Sequence, residues 1–154
     1  EPVSQGGFID VLRCRFDDGP KVAIQNLGPG EERLLRIHQS ARCLGLAAKV
    51  TLEKGPKRLT LAPCTTISGR LLDEAGAPVG GVEVQVETGI DFDGATTTQT
   101  DAAGRFRIEH VVPGVEYRIS GRSEKLLDEY RLLVENPTLA GGVLDLGELV
   151  VPLR

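Results

Sequence analysis

Few side chains in this sequence could do chemistry: two histidines, three cysteines and one acidic loop. Hydrolysis by a triad needs a nucleophile, a base and an orienting acid, but the sequence has neither a G-x-S-x-G elbow nor an H-E-x-x-H pair. His38 and His110 both fall at the ends of predicted strands, where a hydrogen-bonded histidine at the rim of a sheet is the simpler interpretation. We therefore expect no catalytic residue, no cofactor and no enzymatic activity.

The three cysteines are Cys14, Cys43 and Cys64, an odd number with no C-x-x-C spacing. That pattern argues against a zinc knuckle and against a thioredoxin-like redox site. Two alternatives stay open at this point. One is a single disulfide with one free thiol in an oxidising compartment, and the other is three buried, inert thiols.

The acidic loop, residues 89–94, contains the pattern D-x-D-G, which is similar to the first ligands of a calcium loop. Asp91 and Asp93 are therefore the candidate metal ligands of this sequence. A calcium loop also needs a later acidic ligand, and here Ala95 and three threonines follow instead. The alternative is a solvated turn in which Asp and Gly adopt unusual backbone angles, so we predict no metal site.

Composition argues against several classes of partner. The formal net charge is −4, which provides no basic surface for nucleic acid, and no run of eighteen apolar residues could span a membrane. The chain has no Trp, two Tyr and four Phe, and most of these fall on inward positions, which disfavours a glycan-stacking platform. It also has no Met and begins at Glu1, so we expect a processed chain or a piece of a longer one.

The central stretch, residues 67–114, has the pattern of antiparallel strands joined by tight turns. Val82, Val84 and Val86 alternate with Glu83, Gln85 and Glu87. One face of that strand is therefore predicted to be apolar and the other to be wet. Phe106, Ile108 and His110 are predicted to point inward from a later strand, opposite Arg105, Arg107 and Glu109. Pro and Gly residues at 76–78, 104 and 113–114 supply the turns between these strands.

This stretch resembles the carboxypeptidase regulatory-like domain, a transthyretin-like sandwich related to the Cna-B repeats. The matching residues are Gly69, Arg70, Asp73, Gly76, Pro78, Gly81, Val82, Thr100, Asp101, Gly104, Arg105, Phe106, Pro113 and Gly114. The resemblance covers about 64–153 and implies an all-β, antiparallel, Ig-like or transthyretin-like β-sandwich. It also implies an accessory module without catalytic residues, in an extracytoplasmic bacterial protein.

A shift of 84 positions aligns an earlier segment with this domain without gaps. Five of the sixteen positions from Asp17 to Glu32 are then identical to their counterparts from Asp101 to Glu116. We interpret the match as a degenerate internal repeat, with two unrelated hairpins that share turn residues as the alternative. The predicted domains are a partial sandwich unit over 1–62 and a complete one over 63–154, in tandem. The first unit lacks a counterpart of residues 67–90. The missing strands would precede Glu1, come from a neighbouring subunit, or be unnecessary because the unit forms its own smaller sheet.

Three local features complete the expectations. The segment 123–129 is either a helical turn or an exposed crossover loop, and a change of parity at Gly147 predicts a β-bulge in the last strand. The charged stripes, such as Arg105, Arg107 and Glu109, form a solvated face or line an interface.

The predicted function follows from this fold. It is a non-catalytic structural or interaction module, placed in the periplasm, at the cell surface or in the secreted fraction. Its partners would be other protein domains or subunits, including copies of itself, bound through edge strands. The alternative is a ligand-binding module for glycan or calcium.

Overall fold

The computed structural model describes residues 12–14, 28–51, 58–88 and 91–154 of the chain. These residues form strands and turns, with one short 3-10 helix at Ser40–Arg42 and no α-helix in the described ranges. The strands are β1 (Leu12–Cys14), β2 (Glu32–Gln39), β3 (Leu44–Thr51), β4 (Ala62–Pro63), β5 (Thr65–Leu72), β6 (Glu83–Thr88), β7 (Asp91–Gln99), β8 (Arg105–Val111), β9 (Tyr117–Arg122), β10 (Tyr130–Glu135) and β11 (Gly142–Val150).

The strands assemble into three sheets. The first has the order β1-β2-β3-β4, the second β10-β9-β6-β7 and the third β11-β5-β8. All strand pairs are antiparallel except β1 with β2 and β5 with β11, which are parallel. The predicted all-β, antiparallel sandwich is therefore confirmed, and it contains two parallel pairs that the sequence pattern did not indicate.

The second and third sheets pack face to face around the main core. This core forms because apolar side chains alternate along the strands and point to the same side. Val82, Val84, Phe106 and Ile108 share this interior, as the sequence pattern predicts. The buried members are Ile67, Leu71, Val79, Val82, Val84, Val86, Phe106, Ile108, Val111, Tyr117, Ile119, Leu126 and Val151.

Two aspartates organise the turns of this sandwich in the same way. Asp73 accepts hydrogen bonds through Oδ1 from two backbone N–H groups, at 2.9 and 2.7 Å, in the turn that contains Gly76. Asp101 does the same, at 2.9 Å for both bonds, in the turn that contains Gly104. Both glycines have positive φ, 83° and 74°, so the predicted left-handed turn positions are confirmed.

The prediction that His110 points inward with Phe106 and Ile108 is wrong. His110 has a φ of 61° and is exposed, while Val111 takes the inward position. The register between β5 and β8 shifts at the same place, between Thr65 and Ile67. This irregularity adds one residue to the strand, and an extra residue reverses the face on which the following side chains lie.

The prediction that Glu87 lies on a wet face is also wrong. Its side chain is buried, in contact with side chains of β9 and β10, the strands that follow β6 in the same sheet. The carboxylate accepts hydrogen bonds from Ser120 Oγ, at 3.3 Å, and from the hydroxyl of Tyr130. A buried carboxylate is tolerated when such donors replace its lost hydration.

Two local predictions are settled by the backbone. The register between β5 and β11 shifts between Asp145 and Glu148, and Gly147 has a φ of 69°, so the predicted bulge is confirmed. The segment 123–129 forms turns and bends rather than a helix. Of its two open alternatives, the crossover loop is therefore correct.

The first sheet has a small core of its own. Cross-strand pairing places Leu35 opposite Ala48 and Ile37 opposite Leu46, and Leu35 and Ile37 are buried together with Val50. The partly buried Leu59 and Leu61 pack on the same cluster. The predicted turn at 17–20 and the whole loop at 53–57 lie outside the described residues, as does most of the predicted strand 8–16.

The first sheet is joined to the sandwich by a close approach of two backbones. The N–H of Ala47 donates to the carbonyl of Pro113 at 2.7 Å. A Cβ atom at Gly114 would lie 2.1 Å from the Ala47 carbonyl oxygen, and one at Gly45 would lie 2.3 Å from Val112. Only glycine allows these contacts, so the two parts of the molecule are held in one fixed arrangement.

We predict that Gly114→Ala destabilises the protein much more than Gly30→Ala. Both glycines have positive φ, but a Cβ at Gly30 meets no atom within 4 Å. Gly30→Ala should therefore cost only the backbone strain, about 1–2 kcal/mol, whereas Gly114→Ala adds overpacking and should cost about 2–5 kcal/mol. Urea unfolding of the two variants measures the difference. Equal losses would show that the contact with β3 is unimportant.

Candidate functional site

The side chains with reactive groups meet where the first sheet contacts the sandwich. Cys43 lies between the 3-10 helix and β3, Cys64 lies between β4 and β5, His38 lies on β2 and His110 lies on β8. We call these four residues the thiol–imidazole cluster. The chain brings them together because β3 lies against the turn that follows β8, through the Ala47 to Pro113 hydrogen bond.

Cys43 and His110 are in direct contact. The Cys43 Sγ atom lies 3.3 Å from Nδ1 of His110. Both residues have positive φ, 50° and 61°, which is uncommon for residues other than glycine. Such backbone strain persists only where the surrounding structure fixes it, and it often occurs at functional positions.

Cys64 is the buried member of the cluster. Its N–H donates to the Cys43 carbonyl at 2.8 Å, so the two cysteines are backbone neighbours across β3 and β4. Burial raises the pKa of the Cys64 thiol to about 11, and the charge and hydrogen bond of Cys43 act in the same direction. Cys64 is therefore a poor nucleophile near neutral pH, since the thiolate is the reactive form.

His38 supports the cluster from behind. Its ring stands edge-on to that of His110, with centroids 5.2 Å apart and planes at 64°. The Nε2 atom of His38 is buried without a hydrogen-bond partner among the described residues. Burial lowers the pKa of His38, and the nearby charges of His110 and Arg36 lower it further.

The cluster is suited to thiol chemistry more than to hydrolysis. A Cys and a His in contact are two parts of a nucleophile–base pair, and two adjacent cysteines are the parts of a disulfide. Within the described residues, His110 hydrogen-bonds to Cys43 and its ring contacts that of His38, and no carboxylate forms a hydrogen bond to its ring. The third member that a triad requires is thus missing from this part of the chain.

The predicted metal candidates lie elsewhere. The backbone of Asp91 and Asp93 belongs to β7, where Asp91 pairs with Thr88 of β6. The extended backbone there differs from the curved loop that wraps a calcium ion. Among the described residues, no group of three His, Cys, Asp or Glu side chains is arranged to hold a metal ion.

A polar groove of about 550 Å³ lies on the outer face of the third sheet. The exposed Arg70 bonds to Glu148 at 3.2 Å and to the Ala103 carbonyl at 2.9 Å. Arg107, which also lines the groove, pairs with Glu109 at 2.9 Å, and this hydrogen bond lowers the pKa of Glu109. Exposed pairs of this kind contribute little to stability.

The search for chemistry by motif missed the thiol–imidazole cluster. Each histidine and each cysteine is isolated in the sequence, and a short-range pattern cannot show that they converge. One available signal was the close spacing of Cys64 to the predicted boundary between the two units, since boundary residues lie where units meet.

The comparison with protein families identifies one segment of the chain, a little under half of its length. The model of the carboxypeptidase regulatory-like domain matches residues 66–135. Residues 66–135 are a carboxypeptidase regulatory-like domain. The regulatory-like domain thus accounts for strands β5 to β10, and the resemblance that the turn glycines and aspartates indicated is confirmed.

Solved structures similar to the chain come from several kinds of protein. One is the dioxygenase domain of a dioxygenase carbohydrate-binding protein fusion from Streptomyces sp. SirexAA-E, with 17% identity, a TM-score of 0.42, and 58% of this chain and 80% of that chain covered. Another is 5-hydroxyisourate hydrolase of Klebsiella pneumoniae, with 15% identity, a TM-score of 0.39 and coverages of 56% and 90%.

A third similar structure is the Bacillus anthracis TIE protein, with 16% identity and a TM-score of 0.43. The match covers 57% of this chain but only 16% of that chain. A search of the curated proteins gives no match. The fold assignment therefore stands on the strand registers and on the family match.

None of the helical structure in the described ranges has the length and apolar character needed to cross a membrane.

We predict that a small-molecule disulfide such as oxidised glutathione converts Cys43 and Cys64 into an intramolecular disulfide. Two thiols would lose two protons and two electrons to the reagent, which is reduced to two thiols. Closure of a loop of about 20 residues should stabilise the regulatory-like domain and the first sheet together by up to about 3 kcal/mol. Peptide mapping and thiol titration measure the product.

Cys14→Ser is the matched control for this experiment, because it removes the remaining cysteine of the sequence. The variant should still form the bond between Cys43 and Cys64. If Cys14→Ser abolishes the cross-link, or if oxidation yields only mixed disulfides with glutathione, the predicted pairing is wrong.

We also predict that His38 weakens the fold in mild acid. Its pKa is lowered in the folded chain, so below the ordinary value of 6.5 the unfolded chain binds a proton that the folded chain does not. Stability is therefore lost as the pH falls from 6.5 towards the lowered value. Urea unfolding between pH 7.5 and 5 should show a smaller loss for His38→Gln. Parallel curves for the two proteins would rule out this role.

Proposed function

We propose that this chain is a non-catalytic structural and interaction module of an extracytoplasmic bacterial protein or assembly. Its partners are other protein domains or subunits, including copies of the chain, and it binds them through its edge strands. The family match supports this proposal, because regulatory-like domains are accessory modules. Extracytoplasmic placement is also the setting in which a disulfide between Cys43 and Cys64 would persist.

The fixed arrangement of the first sheet against the regulatory-like domain supports a spacer role. The first sheet and the regulatory-like domain are joined by a short backbone hydrogen bond and by glycines that exclude any side chain. They also share a small buried cluster of Ala47, Cys64 and Val112. A module built in this way holds its two ends at a set distance, as a scaffold element requires.

The observation that carries the proposal is the position of the exposed apolar side chains. Among the described residues, every exposed large hydrophobic side chain lies between Leu127 and Leu153, with exposures from 38% to 61%. They are Leu127, Tyr130, Leu132, Val143, Val150 and Leu153. Apolar side chains concentrated on one part of a surface are typical of a protein contact.

These side chains lie on and beside the two end strands of the sandwich. β10 ends the second sheet and β11 ends the third, so each presents unpaired backbone groups along one side. The loop before β10 is tied to the chain after β11, because Leu127 N–H donates to Pro152 and Arg154 N–H donates to Lys125, both at 3.0 Å. Backbone donors and apolar side chains are thus available together for strand addition.

We predict that photo-cross-linking from this side of the sandwich captures a partner at defined residues. A photoreactive amino acid would replace Leu132 or Val150 in the parent protein in its own host, and mass spectrometry would locate the joined residues. The controls are Thr97 and Arg107, which are exposed on β7 and β8. Adducts confined to Leu132 and Val150 are expected. Equal adducts at all four positions, or none, would contradict the proposal.

A further inference from the structure

The parallel pairing of β1 with β2 has an unusual register. Leu12 pairs with Leu35, Arg13 with Arg36 and Cys14 with Ile37. A parallel pair normally needs a crossover connection, and elsewhere among the described strands only β5 and β11 are parallel neighbours. The question is why these two strands lie side by side.

The second sheet provides the comparison. There, β6 lies between β7 and β9, and it is antiparallel to both. Val86 pairs with Thr96 on one side and with Ile119 on the other. Gln85 lies likewise between Thr97 and Ser120, and Val84 lies between Thr98 and Gly121. β7 and β9 are therefore parallel to each other, with one strand between them.

The shift of 84 positions relates the pair β1 and β2 to the pair β7 and β9, residue by residue. Adding 84 to Leu12 and Leu35 gives Thr96 and Ile119, which are the two partners of Val86. The next pair gives the partners of Gln85, and Cys14 with Ile37 gives the partners of Val84. All three pairs of β1 and β2 thus have the register that β7 and β9 would have if β6 were removed.

The neighbouring elements follow the same order of strands. The antiparallel hairpin of β2 and β3 takes the place of the antiparallel hairpin of β9 and β10, but the registers differ, since Leu35 pairs with Ala48 whereas its counterpart Ile119 pairs with Val134. The turns before β2 and β9 both contain Pro-Gly, with Gly30 and Gly114 at positive φ. Leu35, the counterpart of the buried Ile119, also faces a core. The order β1-β2-β3 is therefore the order β7-β9-β10, without the strand that corresponds to β6.

We infer that the position between β1 and β2 is a binding site for a β-strand donated by another polypeptide. The donated strand would run antiparallel to both neighbours and would carry aliphatic, β-branched side chains at alternate positions, as β6 does at Val82, Val84 and Val86. Those side chains would join Leu35 and Ile37 in the core of the first unit. Only three residue pairs separate when the strand enters. This inference rests on the proposed interaction role.

Residues 1–4 of the sequence, which correspond to the second half of β6, are poorly suited to this position. Counting back 84 positions from Gln85–Thr88 gives Glu1–Ser4, and Pro2 then takes the place of Val86. Proline has no N–H to donate, so it is unsuited to the centre of a sheet. A second copy is a poor donor as well, because its β6 is paired on both sides and three of its valines are buried in the main core.

The test uses the native cysteine of β1 as a reporter of register. A peptide with the sequence of residues 81–88, G-V-E-V-Q-V-E-T, would be made with a cysteine in place of either Val84 or Gln85. In the proposed register the first cysteine lies opposite Cys14 and the second lies opposite Arg13, with its side chain on the other face. The chain would carry Cys43→Ser and Cys64→Ala, so that Cys14 is its only thiol.

In a buffer with oxidised glutathione, the peptide with Val84→Cys should form a mixed disulfide with Cys14. This reaction should be at least about tenfold faster than that of the peptide with Gln85→Cys, because binding raises the effective concentration of the paired thiols. Cys14→Ser should abolish the product. The unmodified chain provides a second measurement that needs no substitution. Hydrogen exchange at 12–14 and 35–37 should slow when the cysteine-free peptide is added.

Three results would overturn the inference. Equal cross-linking of both peptides would show unspecific thiol exchange, and unchanged hydrogen exchange would show that no strand enters. A dimer that forms in the absence of peptide and protects 12–14 would show that a second copy fills the site. The photo-cross-linking from Leu132 and Val150 tests β10 and β11, whereas the peptide experiment tests β1 and β2. Failure of one experiment therefore does not decide the outcome of the other.

Discussion

The hydrogen bond from Ala47 to the carbonyl of Pro113 is the contact on which the arrangement of this molecule depends. It forms only because Gly114 has no side chain, since a Cβ there would lie 2.1 Å from the Ala47 carbonyl oxygen. The contact fixes β3 against the turn that follows β8. The buried cluster of Ala47, Cys64 and Val112 lies at this contact, and the contact between Cys43 and His110 joins the same two parts of the fold.

The strands of the sandwich are predictable from the sequence because they depend on local rules. A side-chain period of two and turn residues with special φ values determine where β6 and β8 begin and end. The predictions fail where a neighbour intervenes. His110 turns outward because β8 contains an extra residue, and Glu87 is buried because Tyr130 and Ser120 can donate to it. Neither effect is visible in the alternation of one strand.

The thiol–imidazole cluster could not be predicted for a related reason. Cys43, Cys64, His38 and His110 lie on four separate segments, and only the packing of the first sheet against the sandwich brings them together. The sequence left two alternatives for the cysteines, one disulfide or three buried thiols. In the described part of the chain Cys43 and Cys64 carry free thiols, and Cys43 is only partly buried. Cys43 and Cys64 are neighbours across two strands, and the pKa of Cys64, raised to about 11 by burial, makes Cys43 the more reactive partner in any exchange.

The inferred strand-binding site follows from the behaviour of unpaired strand edges. Strands with unpaired edges are prone to pair with whatever strand is near, so removal of a central strand leaves its two neighbours exposed to each other. β1 and β2 pair in parallel, in the register that β7 and β9 have relative to each other on the two sides of β6. Parallel pairing is somewhat weaker per residue than antiparallel pairing, and this pair has only three residues on each strand. An inserted strand that hydrogen-bonds to both neighbours and adds aliphatic side chains to the small core would therefore be favoured over the direct pairing of β1 with β2. The tendency of unpaired strand edges to pair thus explains both why β1 and β2 pair with each other in the isolated chain and why they would separate to accept a donated strand.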